Sequence, residues 1–195
     1  TGGLENHPDI VNAISQRHHL LGNGSDVIKA VRDPIRLSSV IRSLGSRFPE
    51  TFTGSKPSNP HQGWLKKSYR SAGGLGISFD HYSPLGESVY LQQYIEGTPI
   101  SAAFDGSQLL GTSEQLSGTD WLHAPPFHYA GNIRRNEEWH REEFKRLGEG
   151  LATAFGLIGP WGLDAIEASG ELWRERDETI DIIVDQCAGF RVQQP

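Results

Sequence analysis

The segment GWLKKSYRSAGGLGISF, residues 63–79, places basic side chains beside a glycine-rich turn, with apolar residues on both sides. Its core, Gly73, Gly74 and Gly76, lets backbone N–H groups approach an anion without obstruction by side chains. The segment lacks the Gly-Lys-Ser/Thr ending of a P-loop, and no helical pattern follows it. Strand-like runs on both sides predict that the glycines form the tip of a hairpin.

A glycine-rich hairpin is more often a structural turn than a phosphate-binding loop. The neighbouring Lys66, Lys67 and Arg70 favour phosphate binding, because a lysine on a strand can neutralise phosphate charge. Taken alone, the segment leaves both interpretations open.

The composition indicates an ordinary globular chain. Its 195 residues suit one modest or two-lobed domain, which can bury roughly 70% of its unfolded surface. Apolar residues make up 36% and charged residues 22%, which excludes a disordered chain. Acidic residues outnumber basic ones, 24 to 18, and no long basic run occurs, so nucleic acid is not expected as a general partner.

The single cysteine, Cys187, excludes an internal disulfide and a cysteine-based zinc cluster. The sequence has no signal-peptide pattern and no apolar run of membrane-spanning length, so we expect a cytoplasmic protein without a membrane partner. It begins Thr-Gly-Gly and contains no methionine, so we expect a fragment or a processed piece of a longer protein.

Helices are predicted in four segments. They are residues 8–21, a short helix capped by Ser25, a helix from Asp33 and Pro34 to Gly45, and residues 137–155 capped by Asn136. Strands are predicted at 64–68, 75–79, 88–95, 99–105 and 108–116, and two more around a turn at Ser169 and Gly170. Residues 118–135 are predicted to be a long irregular segment. This order favours an α+β fold over a doubly wound sheet.

Two later motifs carry acidic residues at informative positions. In YLQQYIEGTPIS, residues 90–101, a strand ends at Glu96, and a carboxylate at such a turn can accept both hydroxyls of a ribose. Taken alone, a glutamate at such a position is more often a solvated loop acid. In GPWGLDAIEASGELW, residues 159–173, Asp164 lies in mid-strand, where a carboxylate is costly unless it is paired, binds metal or points to solvent.

Together the three motifs resemble the ATP-grasp family of ATP-dependent carboxylate–amine ligases, over residues 22–173. The segments AVRDP (30–34), FPET (48–51) and WLHAPPF (121–127) resemble a subgroup associated with tetrahydromethanopterin-linked one-carbon metabolism. The resemblance implies an ATP-grasp fold with two α+β lobes, truncated at both ends. It divides the chain into a remnant of a preceding domain (1–24), an N-terminal lobe (25–97), a C-terminal lobe (98–175) and a divergent tail (176–195).

The resemblance also implies roles for individual residues in binding ATP and Mg²⁺. Lys67 matches the phosphate-contacting lysine, Glu96 the ribose-binding glutamate and Asp164 the first magnesium carboxylate. Lys29 or Arg32 would supply an earlier basic contact to the phosphates. The lid over the phosphates corresponds to Ser71, Ala72, Gly73, Gly74 and Gly76, and the hinge that reads adenine to Gln92 and Gln93.

In this family the γ-phosphoryl group of ATP passes to a substrate carboxylate, and an amine then attacks the acyl phosphate. Such chemistry needs positioning and charge neutralisation more than a covalent nucleophile, so no catalytic nucleophile is assigned. The implied partners are ATP and small-molecule carboxylate and amine substrates. A homodimer is left open, since many relatives are dimers.

The sequence departs from the family after Asp164. The expected Glu-x-Asn-Pro-Arg segment, which completes the magnesium site, is absent; Glu175 lies near its position, and no asparagine follows Asn136. Such a site is expected to bind metal poorly. The alternative function is therefore a non-catalytic nucleotide-binding or scaffolding protein.

Overall fold

A computed structural model describes residues 4–54, 63–70, 72–80, 85–136 and 140–168, and the backbone of 181–188. The helices are α1 (Pro8–Ser15), α2 (Ser25–Val31), α3 (Pro34–Ser43) and α4 (Arg141–Phe155). The strands are β1 (Thr51–Phe52), β2 (Trp64–Ser68), β3 (Ser78–Phe79), β4 (Val89–Gln93), β5 (Thr98–Asp105), β6 (Gln108–Ser117), β7 (Tyr129–Arg134), β8 (Pro160–Ala168) and β9 (Asp181–Ala188).

The start of α3 is as predicted. The carboxylate of Asp33 accepts hydrogen bonds from the backbone N–H groups of Ile35 and Arg36, and Pro34 is the first helical residue. The predicted second helix is present as α2, but its N-cap is Gly24, and Ser25 lies inside the helix without a capping hydrogen bond. The first helix ends at Ser15, well before residue 21.

A four-stranded antiparallel sheet, in the order β1-β4-β2-β3, forms the N-terminal part of the fold. Leu65 lies opposite Phe79 and Lys66 opposite Ser78, so the glycine-rich segment connects two antiparallel neighbours. The predicted hairpin is therefore confirmed, although β3 contains only two residues.

A five-stranded antiparallel sheet, in the order β7-β6-β5-β8-β9, forms the C-terminal part. Every second residue of β5 and β8 packs into the core beneath α4: Ile100, Ala102, Phe104, Trp161, Leu163 and Ala165. Because successive side chains of a strand point to opposite faces, Ser101 and Asp164 lie on the face away from α4.

Two predictions in this region were wrong. Residues 118–135 contain a 3₁₀ turn (Asp120–Leu122) and β7, which pairs with β6. The N-cap of α4 is His140 and not Asn136, so the helix begins at Arg141. The strand β8 pairs with β9, and the turn predicted at Ser169 and Gly170 lies outside the described residues.

Helices and antiparallel sheets thus occupy separate parts of the chain, which confirms the α+β class. Among the described residues, no helix is long and apolar enough to span a membrane.

Candidate nucleotide-binding site

A cleft of about 1230 Å³ lies between the two sheets. It is larger than many small-molecule sites, so it has room for a nucleotide together with a second ligand. The predicted site residues that line it are Lys67, Gly73, Gly74, Gln93 and Asp164. The structure therefore brings basic, glycine-loop, hinge and acidic elements to one cavity.

Lys67 enters the cleft from the central part of the four-stranded sheet. It stands opposite Tyr90 of β4, and its side chain is only 2% exposed. A buried ammonium group is costly unless negative charge or hydrogen-bond acceptors surround it. Lys67 also lines the cleft, whose volume of about 1230 Å³ leaves room for an anionic ligand.

The glycine-rich loop contacts the chain just before and at the start of β7. The carbonyl oxygen of Gly73 accepts a hydrogen bond of 3.1 Å from the backbone N–H of Tyr129. Gly74 has φ of +81°, and a Cβ atom there would lie 1.8 Å from the carbonyl oxygen of Phe127. The rings of Phe79 and Phe127 pack edge to face, with centroids 5.4 Å apart. The loop therefore closes one side of the cleft.

Two other predicted lid residues, Gly76 and Ser71, are not part of the described cleft lining, unlike Gly73 and Gly74. Gly76 also has a positive φ of +78°, but in the described structure it is not part of the cleft lining. Ser71 lies outside the described residues, whereas its neighbour Ala72 lines the cleft.

The two predicted hinge glutamines are placed differently. Gln92 is 1% exposed and donates from Nε2 to Oγ1 of Thr51, which connects β4 to β1. Gln93 lines the cleft, and its Oε1 accepts a hydrogen bond from the backbone N–H of Glu50. Gln93, and not Gln92, is therefore part of the described cleft lining.

Glu96 is exposed on the connection between β4 and β5, and the described cleft lining does not include it. The adjacent Gly97 does line the cleft, where a Cβ atom would lie 2.4 Å from the carbonyl oxygen of Glu167. The connection thus passes tightly against β8. The ribose role of Glu96 stays a prediction.

Asp164 faces the cleft from β8, which answers the question left by its mid-strand position. Its Oδ1 accepts a hydrogen bond of 2.7 Å from Nε2 of Gln115 on β6. Sequence reasoning missed Gln115, as well as the cleft-lining Asn132 and Arg134 of β7. Alternation within the predicted strand 108–116 could have indicated that Ser113 and Gln115 share a face.

The residues present fit a magnesium ion in a limited way. Mg²⁺ in nucleotide sites is held by one or two protein carboxylates, substrate phosphates and water. Asp164 supplies a carboxylate in the cleft, and the amide of Gln115 lies beside it. Within the described ranges, no group of three or more His, Cys, Asp or Glu residues could hold a metal ion. Any magnesium would therefore depend on the phosphates of a bound nucleotide.

Lys29 and Arg32 line a second cavity, of about 730 Å³, beside the N-terminal helices. Arg32 donates to Oδ1 of Asn6 and to the carbonyl oxygen of Tyr69, and burial lowers its pKa. Lys29 pairs with Asp9 at 3.6 Å. The structure thus separates both residues from the cleft that contains Lys67.

Several solved structures have the same fold. An ATP-grasp superfamily protein from Archaeoglobus fulgidus is 18% identical, with a TM-score of 0.65 over 93% of this chain and 52% of that one. D-alanine–D-alanine ligase from Bacillus anthracis, complexed with ATP, is 12% identical, with a TM-score of 0.61 over 92% of this chain and 62% of that one. Biotin carboxylase from Campylobacter jejuni is 12% identical, with a TM-score of 0.71 over 99% and 48%.

The chain thus spans about half to three fifths of the length of these proteins. No curated protein sequence matches it. The model of the ATP-grasp domain matches residues 31–183, which is more than half of the 195 residues. The chain therefore belongs to the ATP-grasp domain family.

Proposed function

We propose that this chain binds ATP with Mg²⁺ in the cleft between its sheets and acts as an ATP-dependent carboxylate–amine ligase. The observation that carries the proposal is that Lys67 and Asp164, from different sheets, line one cleft whose side is closed by the glycine-rich loop. A buried cation, backbone N–H groups and a carboxylate are the parts that phosphoryl transfer needs. The structural likeness to a ligase complexed with ATP supports the same function.

In the proposed reaction, Lys67 and the loop neutralise the phosphates, and Asp164 holds the metal. The bond between the γ-phosphorus and the β,γ-bridging oxygen breaks as a substrate carboxylate oxygen bonds to the γ-phosphorus, which gives an acyl phosphate and ADP. An amine then attacks the acyl carbon, loses a proton, and displaces inorganic phosphate. The protein supplies position and charge, so no covalent nucleophile is required.

Glu175, near the position expected for the second metal carboxylate, lies outside the described residues.

One observation favours the alternative of a non-catalytic nucleotide-binding protein. Among the described residues, no group of three or more His, Cys, Asp or Glu residues could hold a metal ion, and Oδ1 of Asp164 already accepts a hydrogen bond from Gln115. A nucleotide could bind to Lys67 and the loop without supporting turnover.

Thermal denaturation with ATP, in the presence of Mg²⁺ or of EDTA, tests the proposal. A ligand at 100 times its Kd adds about 2.7 kcal/mol to the free energy of unfolding. A rise in melting temperature that depends on Mg²⁺, followed by ADP formation with a carboxylate and an amine, supports the ligase. A rise that is independent of Mg²⁺ supports the alternative. No rise with any nucleotide contradicts both.

The resemblance to the tetrahydromethanopterin-linked subgroup would place the substrates in one-carbon metabolism. That assignment, the cytoplasmic location and the homodimer stay predictions.

A further inference from the structure

Four cleft-lining residues lie in one row across the C-terminal sheet. Arg134 of β7 is opposite Ser113 of β6, Ser113 is opposite Ser101 of β5, and Ser101 is opposite Asp164 of β8. Directly opposite residues in an antiparallel pair point to the same face of the sheet. All four line the cleft, so the row forms part of its floor.

The row has a cation at one end and the predicted metal carboxylate at the other, with two hydroxyl groups between them. Asn132, two residues before Arg134, lies on the same face and also lines the cleft. It adds a neutral amide beside the guanidinium end. Guanidinium, amide and hydroxyl groups together are donors suited to a carboxylate.

The spacing of the row limits the size of the molecule that it would hold. Neighbouring strands lie about 4.8 Å apart, so the backbones of Arg134 and Asp164 are separated by about 14 Å. Side chains shorten this gap, because Gln115 already reaches Asp164 across the width of β5. The interval between the guanidinium and the carboxylate is therefore shorter than the separation of the two backbones. A short aliphatic diacid fits this interval.

Arg135 directly follows Arg134 at the end of β7, but it does not line the described cleft. Arg135 forms an ion pair with Glu114, which lies opposite Ile133 and not in the row. In the described structure, the cleft lining contains Arg134 but not Arg135. The two residues have the same charge and adjacent positions, so Arg135 is a matched control.

We propose that Arg134 binds a second acidic group of the carboxylate substrate, whose reacting carboxylate lies near Asp164. The substrate class is a diacid or an acidic amino acid, as opposed to a simple monocarboxylate. This inference rests on the proposed ligase function, because it assumes that the reacting carboxylate lies at the Asp164 end.

The test compares ligand-induced melting shifts of the whole chain with ADP and Mg²⁺ present. Succinate, glutarate, adipate and L-glutamate are titrated against butyrate, which has one carboxylate. At least one diacid is expected to raise the melting temperature at concentrations where butyrate does not. Arg134→Gln is expected to weaken that diacid at least tenfold, and Arg135→Gln to leave its affinity within about twofold.

Several outcomes would overturn the inference. They are equal binding of diacids and butyrate, no binding of any diacid, or equal effects of the two arginine substitutions. A loss of ADP affinity in Arg134→Gln that matches its loss of diacid affinity would assign Arg134 to the nucleotide instead. Titration of ADP alone on the unchanged protein is the separate check on the proposed function. If ADP binds and the diacid preference is absent, only the substrate inference fails.

Discussion

Gln115 donates a 2.7 Å hydrogen bond to Asp164 although the strand β5 lies between their own strands. The two side chains therefore meet above the floor of the cleft. A carboxylate that is fixed by such a bond is oriented before any ligand arrives.

Gln115→Ala is expected to weaken the Mg²⁺ dependence of ATP binding. Loss of an orienting partner typically costs 10- to 100-fold in metal affinity. The measurement is a Mg²⁺ titration of the ATP-induced melting shift. Gln108→Ala, at the exposed start of the same strand, is the control and should leave the titration unchanged. Equal titration curves for Gln115→Ala and the unchanged protein would show that the bond does not orient a metal ligand.

Lys67→Met is expected to abolish most of the response to ATP. Methionine keeps much of the buried volume but removes the charge, and a hydrogen bond to a charged group contributes about 1.5–3 kcal/mol. The apparent Kd for ATP should therefore rise about tenfold to a hundredfold. Lys66→Met, at the adjacent half-buried position outside the described cleft lining, should not change it. A normal ATP response in Lys67→Met would contradict the phosphate assignment.

Gly74→Ala is expected to displace the glycine-rich loop, because its Cβ atom would overlap the carbonyl oxygen of Phe127. Gly73→Ala is a matched comparison. It also imposes a left-handed backbone on alanine, at about 1–2 kcal/mol, but its Cβ meets nothing within 4 Å. The melting temperature and the Kd for ATP should both be affected more strongly in Gly74→Ala. Identical values for the two variants would mean that the loop contact with Phe127 is not maintained.

Gly148→Ala is expected to destabilise the protein, whereas Gly150→Ala should have a small effect. The new Cβ at 148 would lie 2.2 Å from Cε1 of Phe104, which is stacked on Trp161 with ring centroids 4.3 Å apart. Overpacking of this kind costs about 1–3 kcal/mol. At 150 the nearest atoms are the flexible end of Leu44, and alanine favours the helix by up to about 1 kcal/mol. Urea denaturation measures both, and a smaller loss for Gly148→Ala would contradict the rigid packing of Phe104.

The sequence predicted those helices and strands whose signals lie within a few residues of one another. Asp33 followed by Pro34 began a helix, Gly45 followed its end, and the runs around 64–68 and 99–105 became strands, because capping chemistry and alternation act within a few residues. The strand β7 was missed because YAGNIR has a central glycine and asparagine and weak alternation. It forms through pairing with β6, which is a non-local contact.

The candidate site was predicted less completely than the fold. The sequence singled out Lys67 and Asp164, which both line the cleft. It did not show that Asp164 faces the cleft, because that orientation depends on α4 covering the other face of the sheet. Gln115 and Arg134 join the cleft through register across several strands, and a single sequence does not specify register.

The contact between the glycine-rich loop and the start of β7 has a consequence for mutational robustness. It consists of main-chain atoms: the carbonyl of Gly73 with the N–H of Tyr129, and the backbone of Gly74 against the carbonyl of Phe127. The side chain at 129 can therefore vary without removing the partners that the loop uses, whereas the ring of Phe127 also packs against Phe79. Substitution of Gly74 is not tolerated in the same way, because almost any side chain added there would overlap the backbone of Phe127. Neutral drift is thus permitted on one wall of the cleft and blocked on the other.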